Sequence, residues 1–199
     1  MNIETLFTDY YRKNTWLGIE SRSGLGSSLA QTVEIRKQLP TLIRQFGVKS
    51  LLDLPCGDYN WMKLVSLDIE YTGADIVREL IDNNQVYSRP GCQFVYLDLL
   101  TSNLPTVDLI LCRDCLGHFS FEDIKKAVAN MCRSKSTYLL TTTFTERKMN
   151  WDIETGQWRP INLQISPFNF PAPLTIINEK CPDCFPAYAD KSLGLWRLE

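Results

Sequence analysis

Apolar positions change period several times along this chain. The opening residues read as a short amphipathic helix, followed by the small-residue turn ESRSGLGSS at 20–28. Residues 28–46 then place Leu29, Val33, Ile35, Leu39, Leu42, Ile43 and Phe46 at broadly helical spacing. Pro40 interrupts that run, which predicts a kink or two successive helices, and Gly47 is placed to close it. From there short apolar runs alternate with helical patterns. Strands are expected at 49–54, 69–76, 92–98, 107–113 and 136–144. A weak helix around Trp61–Val65, a helix over Val77–Val86 and a helix from Ser120 through Cys132 separate them. Ser120-Phe121-Glu122-Asp123 resembles a capping box, and Phe121, Ile124, Val128 and Met131 make the apolar face of the helix it opens.

Strand–helix units of this length require parallel strands with helices on both faces, joined by right-handed crossovers. The tail differs. Residues 145–173 hold four prolines and no clear periodicity, and 174–179 and 192–198 then read as two more strands with no helical pattern between them. The expected fold class is therefore α/β: a three-layer, Rossmann-like, doubly wound sheet of seven strands, mostly parallel, ending in an antiparallel hairpin. The expected organisation is one domain over 1–199, with a helical cap (1–47), a ligand-binding core (48–144), a long loop (145–173) and the hairpin (174–199).

Composition narrows the partners. The 199 residues carry a net charge of −2, with 44% hydrophobic and 22% charged residues, and a pI near 5.5 gives no global attraction to nucleic acid or anionic membrane. No apolar run approaches the roughly 18 residues needed to span a bilayer, and the opening residues lack a secretory core. The cytoplasm is the expected compartment. Seven cysteines in no compact framework fit free thiols. The pairs Cys112/Cys115 and Cys181/Cys184 are separated by far more than the roughly 15–20 residues of a zinc ribbon. No metal is expected, although zinc or disulfide chemistry at Cys181/Cys184 stays open.

In an open parallel sheet, ligands bind beyond the carboxyl ends of the strands at the switch point. That rule selects 54–60, 75–76, 98–99 and 113–118, and acidic residues fall at the ends of the first three strands: Asp53, Asp75 and Asp98. A dinucleotide site needs several glycines so that backbone reaches a pyrophosphate. Here the first turn, Asp53-Leu54-Pro55-Cys56-Gly57-Asp58, has one glycine and two carboxylates. Two acids would repel a diphosphate and suit a ligand bearing an ammonium and a sulfonium, as S-adenosylmethionine does. Asp75 stands where a carboxylate accepts both ribose hydroxyls, and Asp98, or the amide of Leu99, where the adenine edge would be read. The competing role for Asp53 is a turn cap.

The segments LLDLPCGDYNWM (51–62), YTGADIV (71–77), FVYLDLL (94–100) and DLILCRDCLGHFSFEDI (108–124) resemble the successive motifs of class I S-adenosylmethionine-dependent methyltransferases. The flanks ESRSGLGSSL (20–29) and WRPINLQISPFNFPAPL (158–174) resemble a bacterial subgroup of methyltransferase-like proteins. The family's glycine-rich loop is here the stiffer Pro55-Cys56-Gly57. The resemblance implies S-adenosylmethionine as cofactor and S-adenosylhomocysteine as product. Asp53 would anchor the methionine ammonium, Gly57 would admit close backbone approach, Asp75 would hold the ribose with Ile76 on the adenine, and Asp98 and Leu99 would read the base. Cys112 and Arg113 would line the methionine end. Arg22, Ser23, Gly24, Gly26 and Ser27 would fold over the cofactor carboxylate, unless Ser27 or Ser28 simply caps a helix.

Methyl transfer from an activated donor depends mostly on positioning, and a hydroxyl or ammonium acceptor also needs a base. His118, the only histidine, follows the fourth strand and is either that base or a structural residue; Asp114 is the second candidate. Acceptor contacts are expected from the 145–173 loop, read as a lid: Trp151, Trp158 and Arg159 suit a sugar ring or another flat polar molecule, with Asn150 and Asn162 hydrogen bonding. The acceptor expected is a small molecule or glycan methylated at oxygen or nitrogen, not nucleic acid. The alternatives are a non-catalytic relative that binds cofactor or a partner protein, and a nicotinamide-dependent oxidoreductase, which the missing glycines disfavour.

Overall fold

The computed structural model describes residues 2–181 and 188–198. Its elements in chain order are α1 (Ile3–Lys13), α2 (Val33–Gln45), β1 (Ser50–Asp53), β2 (Glu70–Asp75), α3 (Arg78–Asn84), β3 (Cys92–Tyr96), β4 (Leu109–Cys112), α4 (Phe121–Arg133), β5 (Tyr138–Phe144), β6 (Thr175–Asn178) and β7 (Lys191–Arg197). The seven strands form one sheet in the order β3-β2-β1-β4-β5-β7-β6. β1 to β5 pair in parallel, while β7 runs antiparallel to both β5 and β6. The expected fold class and terminal hairpin are both present. The last strand is inserted inside the sheet, between β5 and the edge strand β6.

Alternation along each strand sends neighbouring side chains to opposite faces, and both faces are covered. Leu51, Leu109, Leu111 and Leu140 pack towards Ile35, Leu39, Leu42 and Ile43 of α2. Leu52, Ile110, Cys112 and Leu139 pack towards Ile124, Ala127 and Met131 of α4. The predicted kink at Pro40 resolves into a single helix, α2, whose buried residues bracket the proline. Packing of that face outweighs the one hydrogen bond proline cannot donate. α2 begins at Val33, after a 3₁₀ turn at Leu25–Ser27. Neither Ser27 nor Ser28 is therefore its N-cap. Gly47 adopts φ 65° just beyond the helix, a left-handed geometry suited to glycine.

Ser120 caps α4 through its Oγ, which accepts from the Asp123 amide at 3.2 Å. The reciprocal half of the box is supplied by the loop. Thr155 Oγ1 accepts from the Ser120 amide at 2.9 Å and donates to Asp123 Oδ2 at 2.6 Å. Residues 145–173, expected as a lid, are stitched to the sheet in this way: the Phe144 amide donates to Ile161 O, the Leu163 amide to Thr143 Oγ1, and Ile161 and Leu163 are buried. Among the described residues no helix is long and apolar enough to cross a membrane.

Candidate functional site

β1 and β4 are neighbours whose chain connections leave in opposite directions along the sheet, so a crevice opens beyond their carboxyl ends. A cavity of about 440 Å³ lies there, within the roughly 300–1,000 Å³ of ligand pockets. Its walls include Asp53, Pro55, Cys56, Gly57, Asp75, Ile76, Asp98, Leu99, Arg113, Asp114, His118, Trp158 and the 22–27 turn. The apolar stripe Ile3, Phe7 and Tyr11 of α1, spaced by one turn each, roofs it.

At the β1 end, Asp53 is buried and accepts from the Tyr71 hydroxyl at 2.7 Å. Burial dominates its titration and pushes the carboxyl up to about 7, with the Tyr71 bond and the field of Arg113 opposing. Asp75 is buried as well, and accepts from the amides of Gly57 at 3.2 Å and Val77 at 3.0 Å. Its carboxyl is pushed up to about 6, again by burial against those amides. Among the described residues neither carboxylate has a cationic partner within ion-pair distance. Two buried carboxyls therefore face the cavity without a protein counter-charge.

Gly57 has φ 57°, and a Cβ there would meet Ser23 Oγ at 2.3 Å. The glycine is required by the 21–27 turn that packs on it. Asp58 belongs to the same joint. Its carboxylate accepts from Ser21 Oγ at 2.9 Å, the Arg22 amide at 2.9 Å and Ser23 Oγ at 3.4 Å, so it latches the turn and does not line the cavity. The paired-acid argument made for Asp53 and Asp58 thus passes to Asp53 and Asp75. Asp98 lines the cavity, but its carboxylate accepts from the Leu100 amide at 2.8 Å and Thr101 Oγ1 at 2.7 Å, organising its own turn. Cys112 is wholly buried beneath the site, its carbonyl accepting from Thr141 Oγ1 at 2.7 Å. Burial raises the Cys56 thiol, and the hydrogen bond with Cys112, together with burial, raises that of Cys115, which leaves both poor nucleophiles.

The β4 end is built differently. Arg113 grips Glu179 with Nε at 3.1 Å and Nη2 at 2.7 Å, and also donates to the Gly26 carbonyl at 2.8 Å. Lys191 reaches Asp114 at 2.6 Å and Glu179 at 3.2 Å, and Arg113 lies 3.2 Å from Asp114. Two cations and two anions close a neutral cluster. Its cations hold the Asp114 carboxyl far below its ordinary range against the effect of burial, so Asp114 is a poor proton acceptor. Glu179 and Lys191 were not among the residues expected from sequence.

His118 Nδ1 lies 3.1 Å from the Gln157 carbonyl, which only accepts, so Nδ1 carries the proton and Nε2 keeps its lone pair. Burial lowers the His118 pKa from 6.5, opposed by Asp114, and favours neutral imidazole at pH 7. Arg159, expected at the acceptor, is buried elsewhere. Its guanidinium donates to the carbonyls of Leu116, Gly117 and Phe119 at 2.7–3.1 Å and so fixes the turn that carries His118. The Asn150 side chain donates to the Asn162 carbonyl and accepts from its amide, both at 2.9 Å. The Asn162 side chain donates to the Thr145 and Arg147 carbonyls at 3.4 and 3.0 Å, and Asn162 and Trp151 do not line the cavity. Cys181 is described, but Cys184 lies outside the described residues, as does any pairing between them.

No family profile matches the chain, and no curated protein matches it in sequence. Solved structures do match in fold. The PH0226 protein from Pyrococcus horikoshii OT3 superposes with a TM-score of 0.63 at 16% identity, over 96% of this chain and 99% of that one. Magnesium protoporphyrin IX methyltransferase from Synechocystis PCC 6803, solved with S-adenosylmethionine bound, gives 0.53 at 16% identity over 77% and 81%. The methyltransferase domain of a bacterial Hen1 protein gives 0.50 at 12% identity over 57% and 66%, so the chain spans just under two thirds of that domain. The chain shares its Rossmann-like α/β fold with these solved structures.

Proposed function

We propose that this protein transfers the methyl group of S-adenosylmethionine to a small-molecule acceptor. The observation that carries the reading is the pair Asp53 and Asp75: buried, raised in pKa, and facing a cavity with no cation in ion-pair contact among the described residues. A ligand bearing an ammonium and a ribose diol supplies what each lacks. The one-glycine turn offers no cradle for a pyrophosphate. When bound, the donor supplies an already activated methyl group, and the chain's own residues position, shield and deprotonate.

In this reading Asp53 fixes the ammonium and Asp75 the ribose, while Ile76 and Leu99 pack on the base. The 22–27 turn, latched by Asp58 and by Arg113 on Gly26, closes over the methionine end. His118 takes the acceptor's proton on Nε2, its orientation set by Gln157 and by Arg159 beneath its turn. Exclusion of water falls to the α1 stripe and Phe119, which line the same cavity.

Calorimetry with S-adenosylhomocysteine beside NAD tests the proposal. The expected result is a Kd of about 1–100 μM, or roughly −5 to −8 kcal/mol, for the former and no heat for the latter. Folded protein that binds no S-adenosylhomocysteine would refute it. His118→Ala is expected to keep that affinity within twofold and to lose turnover.

A further inference from the structure

Past the β4 end, the cavity continues between Trp16, His118, Trp158, Tyr188 and Lys191. Trp158 and Tyr188 stack with centroids 5.3 Å apart and planes 30° from parallel. Phe144, itself only 3% exposed, supports both rings from behind at 6.2 and 6.0 Å. Trp158 is 42% exposed, so this aromatic wall is held at its back and accessible at its front. Gly117 allows the His118 turn to lie against it: a Cβ there would stand 3.4 Å from Trp158 Nε1 and 3.1 Å from the Arg159 carbonyl. On the far side of His118, Trp16 packs with its ring centroid 5.5 Å away.

The charges here exclude some acceptors. Asp114 is the carboxylate on this side of the cavity, and Lys191 and Arg113 already neutralise it. The cluster is neutral and both cations hold Asp114, so it offers an ammonium group no uncompensated counter-charge. A sugar would need several convergent polar groups, yet Arg159 and Asn162 are committed to backbone carbonyls. Among the described residues, this part of the cavity is faced by the aromatic pair, a charge-neutral cluster and one imidazole.

We infer that the acceptor is a small hydroxyaromatic compound of the phenol class, lying against Trp158 and Tyr188 with its hydroxyl towards His118. The inference rests on the methyl-transfer reading above. A phenolic hydroxyl ionises near pH 10, and a positioned imidazole can assist its deprotonation. A lone pair of the phenolic oxygen forms the new O–CH₃ bond as the S–CH₃ bond breaks. The S–CH₃ electron pair stays on sulfur, which becomes a neutral thioether, and the hydroxyl proton passes to His118 Nε2.

Saturation-transfer NMR on the full chain saturated with S-adenosylhomocysteine tests this with p-cresol, benzylamine and methyl α-glucoside at millimolar concentrations. p-Cresol is expected to bind at least tenfold more tightly than the other two. Trp158→Ala should weaken p-cresol at least tenfold while S-adenosylhomocysteine affinity stays within twofold. With S-adenosylmethionine, p-cresol should yield its methyl ether. The inference is overturned if benzylamine or the glucoside binds as well as p-cresol, if p-cresol does not bind, or if Trp158→Ala leaves its binding unchanged. Failure of S-adenosylhomocysteine itself to bind would instead bring down the methyl-transfer reading, and this inference with it.

Discussion

Asp53 ends β1, Asp114 follows the neighbouring parallel strand β4, and both line the same cavity, yet their carboxyls are driven in opposite directions. Among the described residues Asp53 has a tyrosine hydroxyl and no cation in contact, and burial lifts it to about 7. Asp114 touches Lys191 and Arg113, and is held far below its usual range. The β4 end is electrostatically complete within the protein, whereas the β1 and β2 ends are not. A completed cluster contributes to architecture, and an incomplete one is a place for a charged ligand. The same distinction separates Asp58, engaged by the 21–23 turn and the Asn60 amide, from Asp75 at the cavity wall.

The largest effect should come from opening the completed end. Glu179→Ala leaves Arg113 and Lys191 with Asp114 alone, and thermal or denaturant unfolding should show a loss of about 3–5 kcal/mol. A loss below about 1 kcal/mol would mean that the cluster is not closed in solution.

Asp53→Asn probes the incomplete end and should act with two signs. Because the folded carboxyl titrates near 7, above its unfolded value near 3.8, the native state binds more protons between those values. Ligand-free stability therefore falls as pH rises through that window. Removing the charge should stabilise the free protein at pH 8 by about 1–3 kcal/mol, raising Tm by roughly 3–10 °C, while weakening S-adenosylhomocysteine by a similar free energy. Destabilisation at pH 8 would contradict the contrast drawn above. In the unmodified protein, S-adenosylhomocysteine affinity should tighten between pH 6.5 and 8 by up to about tenfold per unit below the Asp53 pKa. Calorimetry of Asp53→Asn over that range should give a nearly flat profile.

Asp58→Ala releases the turn without touching the cavity wall. Titration calorimetry should show S-adenosylhomocysteine weakened roughly 5–30-fold, about 1–2 kcal/mol. Unchanged affinity would mean that the turn closes without its latch. Trp151, half-exposed and outside the cavity, marks the small end of the scale. Trp151→Ala should change stability and affinity by less than about 0.5 kcal/mol, as read by a thermal melt and the same titration.

Much of the β1–β3 side was legible because its information is local. Asp53 and Asp75 each end a strand, and Asp98 stands two positions past one, that its own apolar pattern defines, and the rule that ligands sit beyond parallel strand ends needs only that pattern. Even there, side-chain direction was not legible. Asp58 is five positions from Asp53, but positive φ at Gly57 and Tyr59 turns the chain between the cavity and the 21–23 segment. On the β4 side the partners lie 66 and 77 positions apart, Glu179 from Arg113 and Lys191 from Asp114. The available signal was a charged residue at the inner end of each hairpin strand, where apolar runs stop. Arg159 and Asn162 misled for a related reason: hydrogen-bonding side chains in a long irregular loop serve its own unpaired backbone before any ligand.

The sequence by itself determined the alternation of short apolar runs with helical patterns, hence the α/β class and the switch point, because strands buried on both faces and helices buried on one impose those patterns locally. The helix expected around Trp61–Val65 is only a 3₁₀ turn at Met62–Leu64. The sequence also determined which strand ends carry acid. Only the tertiary structure decided which acids have a cation against them, since that depends on β7 entering beside β5 and carrying Lys191 and the hairpin to Asp114 and Arg113. Desolvation is common to both ends of the site. The counter-charge is not, and contacts between residues remote in the chain supply it.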